Sequence, residues 1–309
     1  MRIFESLDFS ERFVNPVLTI GNYDGLHLGH KRIMERIQEK ARDLNGTSML
    51  MTFHPHPLTI LRPDKCIGLI TPLHVKKRLI EEAGIDVLII IPFTDDFRHV
   101  TPEAFVDDLL VKKLGIKGLI VGYDFKFGKE GKGNVEYLAF LSTEYGFFFE
   151  IQGAITFHGD KVGSNRIRKM IQEGDVGKAA LHLDRPYMIE GTVVKGEGRG
   201  RTIGFPTINL KTEFPLIPKR GVYITDVDVG GKRYSAVTNI GYNPTFDGQS
   251  LTIETYILDF SGDLYDRNIA LYFLERVRDE VRFSSVDELK ERIWKDVEAA
   301  REYFTRALK

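Results

Sequence analysis

The chain is 309 residues long and carries 43 Lys plus Arg against 44 Asp plus Glu, a formal charge of −1. Divided before Pro186, it holds 25 cationic against 25 anionic residues in the first part and 18 against 19 in the second, so neither part has the basic excess by which a whole-molecule field would hold nucleic acid or anionic lipid. The length suggests about two domains, 42% hydrophobic with 28% charged residues gives each enough apolar material for a core, and glycine, at 29 residues, is the one mild excess over a usual share of roughly 7%.

At the N-terminus, Glu5, Asp8 and Glu11 stand where a secretory leader would place its apolar stretch. From residue 14 to 151, short β-branched runs alternate with amphipathic stretches, the sequence form of βαβ units around a parallel sheet. The predicted strands are Val17–Ile20, Ser48–Phe53, Val87–Ile91, Leu119–Val121 and Phe147–Ile151. Lys31–Leu44 carries Ile33, Ile37, Ala41 and Leu44 at helical spacing, and Thr101-Pro102 opens another helix as cap and first residue. This half is expected to be a doubly wound α/β domain. Its longest aliphatic run, Val87 to Ile91, stops at Pro92, far short of the roughly 20 residues of a membrane span. Two further helices, 164–173 and 176–183, lead to Asp184-Arg185-Pro186, which places the domain boundary between 1–185 and 186–309.

Beyond Tyr187 the pattern turns to alternating strands, Glu190–Val194, Val222–Val229, Arg233–Asn239 and Thr252–Phe260, with Gly230-Gly231 as a hairpin signal. Short strands with regular turns predict a small closed barrel. A long helix ends the chain: Ser285 with Glu288 makes a capping box, and Leu289, Ile293, Val297, Ala300 and Phe304 form one apolar stripe to pack on the barrel. The single cysteine, Cys66, has no partner for an intrachain disulfide. Together these features predict a soluble, cytoplasmic protein that binds neither nucleic acid nor membrane.

The segment Gly21 to His30, GNYDGLHLGH, lies between the first strand and the first helix, at the carboxyl end of a strand where open α/β sheets bind ligands. Gly21, Gly25 and Gly29 permit a tight turn and close backbone approach. His27 and His30 are three apart and project from one face of a helix start, where exposed N–H groups favour a phosphate. A bare H-x-x-H reads as readily as a solvated loop or a chance metal pair, since zinc wants three or four ligands; the position between strand and helix is what points to phosphate. Asp24 belongs to the same expected phosphate-binding stretch.

With that placement, the segment closely resembles the HxGH motif of the nucleotidyltransferase superfamily, which implies a Rossmann-like domain whose two histidines bind a triphosphate and stabilise charge at the α-phosphate during adenylyl transfer. They would act as electrostatic donors. A second motif of that superfamily, S-S-T-x-x-R in its flavin branch, is matched by Gly163-Ser164-Asn165-Arg166-Ile167-Arg168, with Ser164 and Arg168 kept and Asn165 at the threonine position. Thr52-Phe53-His54-Pro55-His56-Pro57 and Gly122-Tyr123-Asp124-Phe125-Lys126-Phe127-Gly128 resemble the TFxPHP and GxDFxFG segments of prokaryotic FAD synthetases. The resemblance implies Phe53 and Phe127 as flavin or adenine neighbours and Asp124 as a polar anchor. Taken alone, each phenylalanine reads as core. His54 stands where an acidic residue is usual, and Asn134 where Asp is common.

In the second half, Gly196 to Asn209 holds Gly196, Gly198, Gly200 and Gly204 before an extended Pro206-Thr207-Ile208-Asn209. It lacks the Gly-Lys-Ser/Thr of a Walker A loop and the helix that should follow a Rossmann fingerprint. Thr207 and Asn209, two apart, share a face in extended backbone and can offer two neutral oxygens to a hard cation or simply satisfy local hydrogen bonds. The whole run resembles the GRxxGFPTAN stretch of riboflavin kinases, which implies a six-stranded Greek-key β-barrel, Mg²⁺-nucleotide held at Thr207 and Asn209, and phosphate contacts from Gly198, Arg199, Gly200, Arg201 and Gly204. It also implies that Glu254, in Thr252-Ile253-Glu254-Thr255-Tyr256, is the base toward the ribityl 5′-hydroxyl. As a bare alternating strand, Glu254 would be a solvated outward residue.

With both motif sets in order over nearly the whole chain, the sequence resembles the prokaryotic bifunctional riboflavin kinase/FMN adenylyltransferase family. The implied substrates are riboflavin, FMN and ATP, with Mg²⁺ needed for both steps. Two alternatives stay open at this stage: a riboflavin kinase with a non-catalytic, ligand-sensing first domain, motivated by Gly163 and Asn165, and a flavin-binding protein without turnover.

Overall fold

A computed structural model describes residues 1–64, 67–196, 198–245, 248–281 and 283–307. Cys66, on which the disulfide expectation rests, lies outside the described residues, as does the side chain of Arg199. The chain divides into two compact units, Met1–Ser164 and Asn165–Lys309.

The first unit is built on six strands: β1 (Arg2–Phe4), β2 (Val17–Ile20), β3 (Ser48–His54), β4 (Val87–Pro92), β5 (Gly118–Gly122) and β6 (Phe148–Gln152). All pair in parallel in the order β1-β4-β3-β2-β5-β6. Alternate residues feed two cores. Leu18, Met49, Met51, Ile89 and Leu119 pack on one face with Phe105, Leu110 and Leu138, while Val17, Leu50, Leu88, Ile90 and Ile120 pack on the other with Met34, Ile37 and Ala41. Strands covered on both faces must be apolar throughout, which is why these runs read as continuous aliphatic stretches. Helix α1 (Leu28–Asp43) begins three residues before the predicted Lys31, because His27 serves as its cap. Each large aliphatic residue α1 buries contributes about 1.5–3 kcal/mol. Helix α2 (Leu73–Glu82) precedes β4, and α3 (Val135–Tyr145) precedes β6. The helix opened at Thr101, whose hydroxyl accepts from the Ala104 N–H at 3.2 Å, runs over Pro102–Ala104 and continues as a π-helix, Phe105–Lys113.

In this sheet the order reverses between β2 and β5, and the crevice beyond the carboxyl ends at such a reversal is where doubly wound sheets bind ligands. The loops leaving those two strands are Gly21–His30 and the segment from Gly122 to Gly128.

The second unit contains α4 (Ser164–Glu173), which starts at the last residue of the first, then α5 (Val176–Leu183) and a closed antiparallel barrel. Its strands are β7 (Tyr187–Val194), β8 (Ile208–Lys211), β9 (Gly221–Val229), β10 (Lys232–Thr245), β11 (Gly248–Ile257) and β12 (Asn268–Arg278), in the order β8-β11-β10-β9-β12-β7. Three hairpin-linked strands with a fourth returning beside the first is the Greek-key order, here β9-β10-β11 with β12. Helix α5 packs on β12 and β7, and the Lys219 N–H donates to the Ile171 carbonyl at 3.2 Å, so both helices count with the barrel. The Gly230-Gly231 turn forms as expected, with positive φ at both residues.

Helix α6 (Val286–Ala307) closes the chain and lays Val297, Ala300, Ile293 and Phe304 on the outer barrel residues Val222, Ile224, Val237 and Leu258. Its cap differs in one detail from the expected box. Ser285 Oγ accepts from the Glu288 N–H at 3.2 Å, but the Glu288 carboxylate reaches back to the N–H and hydroxyl of Ser284.

Candidate active sites

In the first unit, His27 caps α1: its Nδ1 accepts from the His30 N–H at 3.4 Å. Because Nδ1 accepts, the proton of the neutral ring sits on Nε2, the atom then able to donate to an anion. The two imidazoles stack with centroids 3.7 Å apart and planes 16° from parallel, and Tyr23 lies against His30 at 4.8 Å. A Cβ on Gly29 would stand 3.2 Å from His27 Cε1, so glycine there makes room for the stack. A tight turn precedes it, with Gly25 at φ 90°.

Asp24, expected in the phosphate-binding stretch, has its carboxylate turned into the protein. Its carboxylate is 1% exposed and accepts from the N–H groups of Ile70 and Thr71 at 3.1 and 3.0 Å. Thr71 Oγ accepts in turn from the Gly25 N–H at 2.9 Å, and Ser164 Oγ donates to the Asp24 carbonyl at 2.8 Å. Asp24 is thus a buried tether for the turn, and Ser164 is tied by hydrogen bond to the loop its motif was expected to complement. Asn165 and Arg168, which open the second unit, are hydrogen-bonded to each other.

The expected flavin neighbours divide. Asp124 is exposed on the loop after β5. Phe53, at the end of β3, is half-buried and meets Phe93 and Phe97 at 5.8 Å. Phe127 is core: 6% exposed, 5.2 Å from Phe105 and 5.7 Å from Phe125. Asn134 caps α3, accepting from the Tyr137 N–H at 2.9 Å.

In the second unit, strand register assembles the site. Asn209 of β8 pairs with Glu254 of β11, and Glu254 pairs with Asn239 of β10. Directly opposed residues share a face with Cβ atoms about 4.5–5.5 Å apart, so the three side chains form one row. Ile253 and Thr255 point to the barrel interior, where Thr225, Thr238 and Thr255 share buried hydroxyl bonds at 2.8 and 2.9 Å. Glu254 therefore stands on the outer face, on the same side as Tyr256.

The glycine loop presses on this row. A Cβ on Gly196 would fall 2.1 Å from Asn209 Nδ2, and one on Gly200 would fall 3.0 Å from Thr207 Oγ1. Gly198 and Gly204 take positive φ around a single helical turn, Arg199–Thr202, that the sequence reading did not expect. Arg201 is exposed. Two neutral oxygens beside a carboxylate, in a cradle that only glycine leaves open, fit a hard divalent cation.

Residues 10–166 match the family model described as FAD synthetase, and residues 183–304 match the one described as riboflavin kinase. The bifunctional riboflavin kinase/FMN adenylyltransferase of Escherichia coli strain K12 is 39% identical over 291 residues, covering 93% of this chain and 92% of that protein. The protein of the same description from Bacillus subtilis strain 168 is 36% identical over 302 residues, covering 96% and 94%. The chain belongs to the bifunctional riboflavin kinase/FMN adenylyltransferase family. A solved structure described as a macrolide-efflux protein from Streptococcus pneumoniae is 30% identical, with a TM-score of 0.88 over 97% of this chain and 98% of that one. It shares the fold. Among the described residues, no helix is long and apolar enough to cross a membrane.

Three residues of this family member were missed in the sequence because their partners are distant in it. Asn239 joins the Glu254 row only through register. Asp296 on α6 holds Arg278 of β12 through bidentate bonds of 2.7–3.1 Å, with side chains 4% and 11% exposed. Lys76 of α2 is 6% exposed and donates to the Asn22 carbonyl at 2.6 Å. A lysine in an amphipathic stretch gives no sign of being buried.

Proposed function

We propose the following division of labour within this bifunctional riboflavin kinase/FMN adenylyltransferase, with the functional boundary at 185/186. The C-terminal domain phosphorylates riboflavin with ATP to give FMN, and the N-terminal domain transfers AMP from a second ATP to FMN, giving FAD and pyrophosphate. The single observation carrying the residue assignment is the row of Asn209 and Glu254 on neighbouring strands beside the glycine loop.

In the kinase step, Glu254 accepts the proton of the ribityl 5′-hydroxyl as that oxygen attacks the γ-phosphorus, and ADP leaves. Thr207 and Asn209 would hold Mg²⁺, which when bound neutralises phosphate charge and usually keeps phosphate and water among its ligands. Backbone N–H groups of Gly198 and Gly200, with Arg199 and Arg201, offset the developing negative charge, while Gly204, whose N–H donates to the Arg201 carbonyl at 3.3 Å, shapes the turn beside the phosphates.

In the adenylyl step, an FMN phosphate oxygen attacks the α-phosphorus of ATP and pyrophosphate leaves. His27 and His30 donate to the α-phosphate oxygens as charge builds there. Gly21, Gly25 and Gly29 let the backbone approach the triphosphate, and Ser164, Asn165 and Arg168 enter on their motif as further phosphate contacts. Phe53 and Asp124 border the flavin. Asp24 acts through the turn it tethers. The protein works in the cytoplasm on these small substrates.

A chromatographic time course with riboflavin and MgATP tests the reading. FMN is expected to rise first and FAD to follow with pyrophosphate. FMN accumulating without any FAD would leave a kinase alone, and neither product would remove both assignments.

A further inference from the structure

The turn carrying the histidines is gripped by one distant segment. Ile70 and Thr71 hold Asp24 and Gly25, and Lys76 reaches the Asn22 carbonyl, which also accepts from Thr52 Oγ1 at 3.2 Å. The backbone bonds of Asp24 and the hydroxyl of Thr71 account for a rigid turn without any cation. A buried ammonium in addition lowers stability, because desolvation penalises the charged form.

We propose that Lys76 is a positioning residue for adenylyl transfer: its ammonium, bonded to the Asn22 carbonyl, fixes the Gly21–Gly25 turn and places positive charge behind the helix start that receives the triphosphate. The proposal rests on the assignment of His27 and His30 to that reaction. A polyanion arriving at the turn offers the interaction that recovers the cost of burying the charge. Burial pulls the Lys76 pKa down to about 8, opposed by Asp24. His54 at the end of β3 also feels this ammonium and is held below its ordinary value by burial and by Lys76 and Lys77. It cannot account for an alkaline transition. Lys77, next on the helix, is paired with Glu5.

The test compares wild type with Lys76→Met, which keeps the apolar stem and removes the charge, and with His27→Ala. FAD formation from FMN and MgATP is measured from pH 7 to 9.5, with FMN formation from riboflavin followed in the same preparations. Wild type is expected to exceed Lys76→Met at least tenfold in kcat/KM at pH 7, and the advantage should shrink below threefold at pH 9.5 as the wild-type ammonium titrates. FMN formation should stay within twofold, and the unfolding midpoint of the variant should equal or exceed that of wild type. A ratio that does not change with pH overturns the proposal, because a purely structural side chain would give that result. So does a lowered midpoint with both activities lost together. If His27→Ala abolishes FAD formation while Lys76→Met stays within twofold of wild type, the site stands and the role of Lys76 falls. If both variants stay within twofold, the assignment of the site falls with it.

Discussion

The two proposed phosphate sites of this enzyme are built in opposite ways. The proposed adenylyl-transfer site is mostly local: ten consecutive residues, Gly21 to His30, supply turn, helix cap and both imidazoles, and distant residues hold that segment in place or add contacts beside it. The proposed kinase site is dispersed, with Asn209 and Glu254 becoming neighbours only because β8 and β11 pair in one particular register. A local site survives displacement of its surroundings as a unit and is tuned by what lies behind it. A dispersed site on a barrel is only as good as the register, since a slip of one residue would turn Glu254 to the interior.

The sharpest way to break this comparison is at Glu254, the proposed base. Glu254→Gln preserves shape and removes the proton acceptor, so FMN formation should fall by roughly 10²–10⁴, with FAD formation from supplied FMN within twofold; steady-state assays of the two half-reactions measure this. Next in size, His27→Ala or His30→Ala should lower FAD formation by about 10²–10³ while sparing FMN, read from the same pair of assays. Equal loss of both activities in either variant would contradict independent sites.

Stability probes sharpen the contrast further. Asp296→Ala leaves the Arg278 guanidinium buried without its carboxylate, which should cost about 3–5 kcal/mol. In urea titration the barrel unit should unfold earlier while the α/β unit keeps its midpoint. The smallest effect concerns pH. In the unfolded chain Lys76 stays protonated to about pH 10.4, whereas in the folded unit its pKa is pulled to about 8 by burial. Between these values the unfolded chain binds the extra proton, so this group's contribution becomes less unfavourable as pH rises. Below pH 8 the cost is full, up to roughly 3 kcal/mol. Lys76→Met should therefore be more stable than wild type at pH 7, and the gap should close toward pH 10, as read from urea midpoints of the α/β unit.

Much of the architecture was legible beforehand because periodicity is a local property. Strands β2 to β5 were readable from aliphatic runs that must be apolar on both faces, and the α6 stripe from its helical spacing. The start of α1 was missed by three residues, since a histidine cap is not among the usual N-cap types. The boundary expected at 185/186 followed the change in pattern, whereas compactness divides the chain within α4, because α5 packs on the barrel.

What the sequence by itself determined about this protein is the pair of motif segments, their order, and the family to which they belong. Those properties reside in contiguous residues whose spacing is set by the backbone. Only the tertiary structure decided that Asp24 is a tether, that Phe127 belongs to the core, that Asn239 stands beside Glu254, and that Lys76 and Asp296 are buried charges. Each of those depends on a partner between 15 and 54 residues away or on the packing of a whole layer, and no local pattern encodes a distance of that kind.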